Sequence, residues 1–206
     1  MLYLIGGPPR CGKTNLAESL ARKLEITYFS IDHITSVITP YVAKEVHKDA
    51  FPLGALFHEV NRDNDLLFQK YTPTDIVEAY VKQAETCWPG IRNFIRYAIE
   101  DDHSLILEGW QILPRFLAEM GRTPRVHVRF LYKANPQAIL SGLRSGRPGK
   151  DWVLDHTKND GTYIRIAEMI SHFGTQIRDE AAASGFDATN MDVDFERRMK
   201  ELSLIW

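Results

Sequence analysis

Gly7-Pro8-Pro9-Arg10-Cys11-Gly12-Lys13-Thr14 decides how this chain is read. The stretch fits G-x-x-x-x-G-K-[ST], the spacing of a phosphate-binding loop. Two glycines let the backbone wrap closely around an anion, so that successive N–H groups point inward. Lys13 would set a compact positive charge on the outer phosphates of a nucleotide. The Thr14 hydroxyl is a hard oxygen ligand of the kind Mg²⁺ prefers. Asn15 carries the loop into a helix whose dipole adds positive potential at its start. Before the loop, Leu2-Tyr3-Leu4-Ile5 is a short apolar run of buried-strand type; after it, Leu16, Ala17, Leu20, Ala21 and Leu24 recur at helical spacing. Strand, loop and helix therefore follow in the order this motif requires.

At 206 residues the chain is long enough to bury a sizeable core in one domain. A net charge of −2 provides no basic field to attract nucleic acid or an anionic membrane. The N-terminal apolar run is too short for a signal sequence or a membrane span. Of the two cysteines, Cys11 lies inside the loop and Cys87 far from it, which argues against a disulfide framework and suits a reducing, cytoplasmic setting. The seven histidines show no metal-binding spacing.

Further along, Ile26-Thr27-Tyr28-Phe29 reads as a second strand running out through Ser30-Ile31-Asp32. Asp32 then stands at a strand's C-terminal edge, where open α/β sheets bind ligands. Residues 33–103 lack strand signals and hold several helices. Thr72-Pro73-Thr74-Asp75 marks one start, with a hydroxyl at N-cap, proline at N1 and an acid at N3. Pro89 should stop or kink that helix near Trp88, after which Ile91, Phe94, Ile95, Ala98 and Ile99 resume helical spacing. Ser104 to Glu108 is a third strand closed by Gly109, and Arg125 to Tyr132 a fourth with alternating apolar residues. Asn135-Pro136 caps a helix reaching about Arg144. Ser145 to Lys150 has loop composition, and a long helix runs from about Gly161 to Ala183. Phe186 to Thr189 forms a short last strand, and Asp192 or Asp194 caps the final helix. This order implies a mostly parallel sheet with helices on both faces.

With those pieces in view the chain resembles the small P-loop kinases of the nucleoside-monophosphate-kinase-like group. The likeness covers most of the chain in element order and rests on four segments. One is the phosphate loop. Another, Ser30-Ile31-Asp32, is similar to the strand-end Asp of shikimate-kinase and chloramphenicol-phosphotransferase relatives. Leu107-Glu108-Gly109-Trp110-Gln111-Ile112-Leu113-Pro114 resembles the E-G-V-H segment of 2-phosphoglycerate kinases, and more loosely the D-G-[FY]-P-R of adenylate kinases. Arg144-x-x-Arg147 falls where the group has a lid with arginines. The resemblance implies a three-layer α/β P-loop NTPase fold with a five-stranded parallel sheet in the order 2-3-1-4-5. It implies one kinase domain over 1–206, with 33–103 as a helical substrate-binding insertion and 144–160 as a lid. ATP would be the phosphoryl donor, with Mg²⁺. Lys158-Asn159-Asp160 is not the guanine-specifying N-K-x-D.

Phosphoryl transfer asks the protein for charge neutralisation and alignment more than for covalent chemistry. Nucleotide binding is assigned to Gly7 through Asn15, with Lys13 foremost and Arg10 facing solvent or stacked near the base. Asp32 would accept the proton of an attacking hydroxyl, hold a Mg²⁺-bound water, or cap a helix. Glu108, ending an apolar strand, needs a partner, which Mg²⁺ water, Lys13 or a neighbouring loop would supply. Arg144 and Arg147 would clamp the transferring group through planar, bidentate donors. Arg92 and Arg96, four apart on one helical face, are candidates for an acidic substrate, and His33, Gly109 and Trp110 for the acceptor pocket. The favoured function is transfer of the γ-phosphoryl of ATP to a small metabolite of the 2-phosphoglycerate kind. A nucleoside monophosphate acceptor, or a regulatory ATP-binding module without transfer, are the rivals.

Overall fold

The computed structural model describes every residue except Gly146, Arg147, Pro148, Lys150 and Trp206, and only the backbone of Ile205. Leu2–Gly6 forms β1, and its side chains alternate between two apolar layers. Leu4 joins Leu107 and Phe130 in one layer, Ile5 joins Ile106 and Leu131 in the other, and all six are fully buried. A strand covered on both faces belongs at the centre of a parallel sheet. With β2 (Thr27–Ser30), β3 (Leu105–Gly109), β4 (Val126–Tyr132) and β5 (Ala188–Asn190), it builds a five-stranded parallel sheet in the order β2-β3-β1-β4-β5. This is the expected α/β P-loop topology.

The helices are α1 (Lys13–Leu24), α2 (Ile31–Ile38), α3 (His47–Ala50), α4 (Pro52–Glu59), α5 (Asn64–Lys70), α6 (Pro73–Glu100), α7 (Pro114–Met120), α8 (Pro136–Leu143), α9 (Trp152–His156), α10 (Asp160–Ala183) and α11 (Phe195–Ile205). Residues of α1 and α11 cover the Ile5 face, and α6, α7, α8 and α10 the Leu4 face. Among the described residues no helix is long and apolar enough to cross a membrane.

The start of α6 is as expected. Thr72 Oγ1 accepts the Asp75 N–H at 3.1 Å, and Asp75 Oδ2 accepts the Thr72 N–H at 2.8 Å, a reciprocal capping box. Its end is not. The helix runs unbroken through Pro89 to Glu100. An interior proline removes a backbone donor and costs about 3 kcal/mol. Here the buried stripe Ala84, Cys87, Trp88, Ile91, Ile95, Ala98 continues straight across it, and burial of each large side chain returns about 1.5–3 kcal/mol. Tertiary packing therefore overrides the local breaker.

Other boundaries also move. β2 ends at Ser30, so Asp32 lies in the first turn of α2 and not in a strand. The helix α7 had no reading in the sequence. Asp194, not Asp192, stands at the head of α11, where its carbonyl accepts the Arg198 N–H at 2.9 Å. Asp192 Oδ2 instead accepts the N–H groups of Ala134 and Asn135 at 3.0 and 3.1 Å, tying the chain after β5 to the chain after β4.

Helix α10 sits directly on the end of β4. A Cβ at Gly174 would stand 1.9 Å from the Lys133 carbonyl oxygen, and Ser171 Oγ donates to the Ala134 carbonyl at 2.6 Å. Gly174→Ala should therefore push α10 off the sheet and cost about 1–3 kcal/mol, as overpacking does, with a lower melting temperature in a thermal scan. An unchanged melting temperature would show that α10 is free to shift.

Candidate active site

The chain turns immediately after β1. Gly7 has a φ of 141°, and a Cβ there would meet the Leu131 carbonyl oxygen of β4 at 2.1 Å. Gly12, left-handed at φ 98°, is the N-cap of α1. Between them Arg10 adopts φ 63°, a left-handed conformation that costs a side-chain-bearing residue about 1–2 kcal/mol. Its guanidinium explains how that is held. Nη1 donates to Asp151 Oδ2 at 2.5 Å, and Nη2 to the carbonyls of Gly142 and Leu143 at 3.3 and 3.4 Å. Arg10 thus does not reach into open solvent: it ties the loop to the chain beyond β4.

Lys13 is buried, and its Nζ donates to the Pro8 carbonyl at 2.8 Å. Cys11 Sγ donates to the same oxygen at 3.0 Å. Burial pushes the Cys11 thiol up, while the Lys13 charge and N–H draw it part of the way back. Lys133, just after β4, is a further half-buried cation beside the loop. Burial pulls its ammonium down, Cys11 and Asp192 act against that, and Arg10 adds to it. The sequence reading passed over Lys133.

Parallel register sets Ile5, Glu108 and Ser30 side by side, so the carboxylate end of β3 stands next to the loop. Glu108 is buried, and its Oε1 accepts a hydrogen bond from Thr14 Oγ1 at 3.3 Å. The partner it needed is the loop's own hydroxyl. These two hard oxygen groups fit a Mg²⁺ that takes few ligands from protein and the rest from phosphate and water. The described residues contain no group of three or more His, Cys, Asp or Glu that would form a dedicated metal cage. Asp32 is exposed and oriented from one side: Gln111 Nε2 donates to its Oδ1 at 2.8 Å and also to Thr35 Oγ1 at 3.1 Å. Gln111 is fully buried.

One cavity of about 790 Å³ joins these groups, running from Pro9, Arg10, Lys13 and Thr14 past Asp32, Glu108, Gly109 and Trp110 to a wall built by α4, the α4–α5 turn, α6 and α9. The wall includes Phe57, His58, Arg62, Tyr80, Trp152 and His156. Trp110 meets Tyr80 edge-on, with ring centroids 4.8 Å apart. The Tyr80 phenol is pushed well above its ordinary range, by burial first and by the Asp32 charge second. Asn61 and Arg62 are consecutive left-handed residues, at φ 50° and 61°, and this turn presents Arg62 to the cavity. Asn64 is fully buried: its Nδ2 donates to the Trp152 carbonyl at 3.1 Å and to Thr157 Oγ1 at 3.0 Å, while its Oδ1 has no partner. Asp65 accepts the N–H groups of Lys158 and Asn159 at 3.0 and 3.2 Å. Burial raises the Asp65 carboxyl, but hydrogen bonds from Thr162 and these two N–H groups together hold it below its usual range.

Several sequence candidates lie elsewhere. Arg92 and Arg96 are exposed on α6 and do not border the cavity; Arg96 pairs with Glu100 at 3.7 Å and with Asn93 Oδ1 at 2.9 Å. His33 is exposed, edge-on to Phe29 at 5.5 Å. Asn15 is exposed on the first turn of α1. Arg144 Nη2 donates to Asp160 Oδ1 at 2.6 Å, and its guanidinium lies over the Tyr163 ring at 5.2 Å. Arg147 falls outside the described residues. The groups passed over, His58, Arg62, Asn64, Gln83, Trp152 and His156, come from helices, and in the case of Arg62 a turn, whose direction only the packed structure sets. Their one local signal was the polar run Asn61-Arg62-Asp63-Asn64, with Asp63 capping α5 through the Leu66 N–H at 3.1 Å.

No protein-family pattern and no curated protein matches the chain in sequence. Among solved structures, an uncharacterized protein from Eubacterium ventriosum aligns with all of this chain and 97% of its own, at a TM-score of 0.52 and 13% identity. A shikimate kinase from Bacteroides thetaiotaomicron aligns with 100% of this chain and 95% of its own, at a TM-score of 0.49 and 16% identity. A shikimate kinase from Acinetobacter baumannii in complex with shikimate aligns with 99% and 91%, at a TM-score of 0.40 and 17% identity. What the first of these shares with the present chain is its fold.

Both cysteines are free and buried, and burial is the first cause raising each thiol. The folded protein should leave a thiol-specific reagent unreacted at mildly alkaline pH, whereas the denatured chain titrates both. Because only the unfolded chain can then ionise them, stability should fall as pH rises through the ordinary thiol range. Prompt labelling of Cys11 in the native state would contradict this placement.

Proposed function

We propose that this protein transfers the terminal phosphoryl group of ATP, taken with Mg²⁺, to a hydroxyl of a small anionic metabolite. The observation that carries the reading is one cavity lined by the phosphate loop, by Asp32 and Glu108, and by His58, Arg62 and His156. An anion-gripping loop, a carboxylate on the same cavity and an arginine for the acceptor's charge are what such a transfer needs.

In this reading the loop amides and Lys13 bind the phosphates, with Lys13 exchanging the Pro8 carbonyl for a phosphate oxygen. Mg²⁺, held by the Thr14 hydroxyl with Glu108 behind it, would lessen the negative charge that an incoming oxygen meets. Asp32, with Oδ1 fixed by Gln111, offers Oδ2 to the acceptor hydroxyl. As that oxygen bonds to the γ-phosphorus and the bond to the β–γ bridging oxygen breaks, the proton passes to Asp32 and ADP leaves. Arg62 holds the acceptor's anionic group at the far wall, and Trp110 and Trp152 exclude water from its sides. Arg144 would join the phosphates only after giving up Asp160. The segment 33–103 serves as the acceptor-binding insertion, and an acceptor like 2-phosphoglycerate meets these demands.

A second reading, with a nucleoside monophosphate as acceptor, draws on the aromatic walls, which would stack a base. Such an acceptor is already ionised and needs no base, so Asp32→Asn separates the two. With an alcohol acceptor that variant should lose about 10²–10⁴-fold in kcat; with a monophosphate it should barely slow. Lys13→Met should abolish turnover while the far-ultraviolet circular dichroism stays that of the parent. Arg62→Ala should raise the acceptor KM about ten- to a hundredfold, the value of a charge-assisted hydrogen bond. Phosphorus NMR of ATP with a mixture of hydroxylated and phosphorylated metabolites is the direct assay. ATP bound without any phosphorylated product would leave only a regulatory nucleotide-binding module.

A further inference from the structure

We infer that Arg10 and Asp151 form a positioning pair that couples occupancy of the phosphate loop to the placement of α9, the wall carrying Trp152 and His156. The inference rests on the nucleotide-binding reading above but adds residues that the reading does not use.

Three observations meet at one guanidinium. Arg10 belongs to the loop and keeps a left-handed backbone, φ 63°, that few arginines adopt. Its Nη1 meets Asp151 Oδ2 at 2.5 Å, with the Asp151 side chain only 3% exposed. Its Nη2 lies on the Gly142 and Leu143 carbonyls, the C-terminal end of α8, where a cation also answers the helix dipole. Asp151 uses its second oxygen on α9 itself: Oδ1 accepts the Val153 N–H at 3.1 Å and caps that helix. The loop, the end of α8 and the start of α9 are therefore joined through one ion pair that cannot be loosened on one side alone. A buried carboxylate without its cation is costly, so the loop cannot shift without Asp151, and Asp151 cannot shift without α9.

The far side of α9 is held as well. Asn64 Nδ2 donates to Oγ1 of Thr157, the residue after the last turn of α9, and Asp65 takes the N–H groups of Lys158 and Asn159. A short helix with both ends fastened, one to the loop and one to the start of α5, passes a displacement between them. When phosphates draw the loop amides inward, Arg10 carries α9 and its two cavity side chains along. Since coupling free energy is reciprocal, an acceptor seated against Trp152 and His156 also tightens the loop.

Hydrogen–deuterium exchange on the full chain, with and without Mg²⁺ and a non-hydrolysable ATP analogue, tests this. In the parent, the nucleotide should slow exchange at both the loop amides and the α9 amides, the latter at least about fivefold, the lower bound of ordinary coupling. In Asp151→Asn, which keeps a good capping oxygen, the loop should still gain protection while α9 gains little. Arg10→Gln should show the same loss with the Asp151 cap untouched, and it decides the matter if Asp151→Asn does not fold. The combined variant should lose no more than either one. A full α9 response in the variants, additive losses, or a parent whose loop responds while α9 does not would each overturn the coupling alone. A parent whose loop gains no protection would overturn the nucleotide-binding reading, and the coupling with it.

Discussion

The turn after β1 has no room for a side chain, because the Leu131 carbonyl of the adjacent strand stands where a Cβ would be. That close approach presses the phosphate loop against β4 and fixes its surroundings. On one side it faces β3, whose C-terminal end supplies Glu108 to Thr14. On the other it faces the chain leaving β4, which supplies Lys133, the carbonyl ends of α8, and Asp151. Glu108 on one flank and Lys133 on the other set opposite charges beside the loop. The sheet order produces this arrangement, since β1 is the strand between β3 and β4.

How much of this could be read from the residues depends on the range of the interaction. The loop, the strand before it and α1 were legible because their signals are local: glycines at fixed spacing, an apolar run, an amphipathic helix. The capping box at Thr72 and Asp75 was legible for the same reason. Pro89 misled because a breaker acts through one backbone donor, while the stripe from Ala84 to Ala98 acts through burial against other elements. Arg10 misled in the same way. Nothing near it announces Asp151, which is 141 residues away. Asp192 and Asp194 looked equivalent as caps, and only the folded path after β5 turned one of them toward Ala134 and Asn135.

The candidate site divides along the same line. Lys13, Thr14, Asp32 and Glu108 sit on or just past the C-terminal ends of strands, where topology alone brings them together. The far wall arises from α4, α5, α6 and α9, whose mutual orientation no short pattern encodes. Arg92 and Arg96 had the right spacing for a shared face, but it is the solvent face of α6. The opposite face, with Tyr80 and Gln83, borders the cavity. Spacing identifies a face; it does not say which way the helix is turned.

Two buried amides hold groups of the site in place. Gln111 sets its nitrogen on the Asp32 carboxylate, and Asn64 sets its nitrogen on the Trp152 carbonyl. Both partners can only accept, so in each amide the nitrogen must face them and the oxygen must point elsewhere. Those oxygens, Gln111 Oε1 and Asn64 Oδ1, are buried without a hydrogen-bond partner among the described residues. An unmet buried acceptor costs about 1–3 kcal/mol. Asn64 lines the cavity wall, yet its Oδ1 is shut off from solvent, so that cost goes into holding its nitrogen against the Trp152 carbonyl and Thr157 Oγ1, which fixes α9 from within.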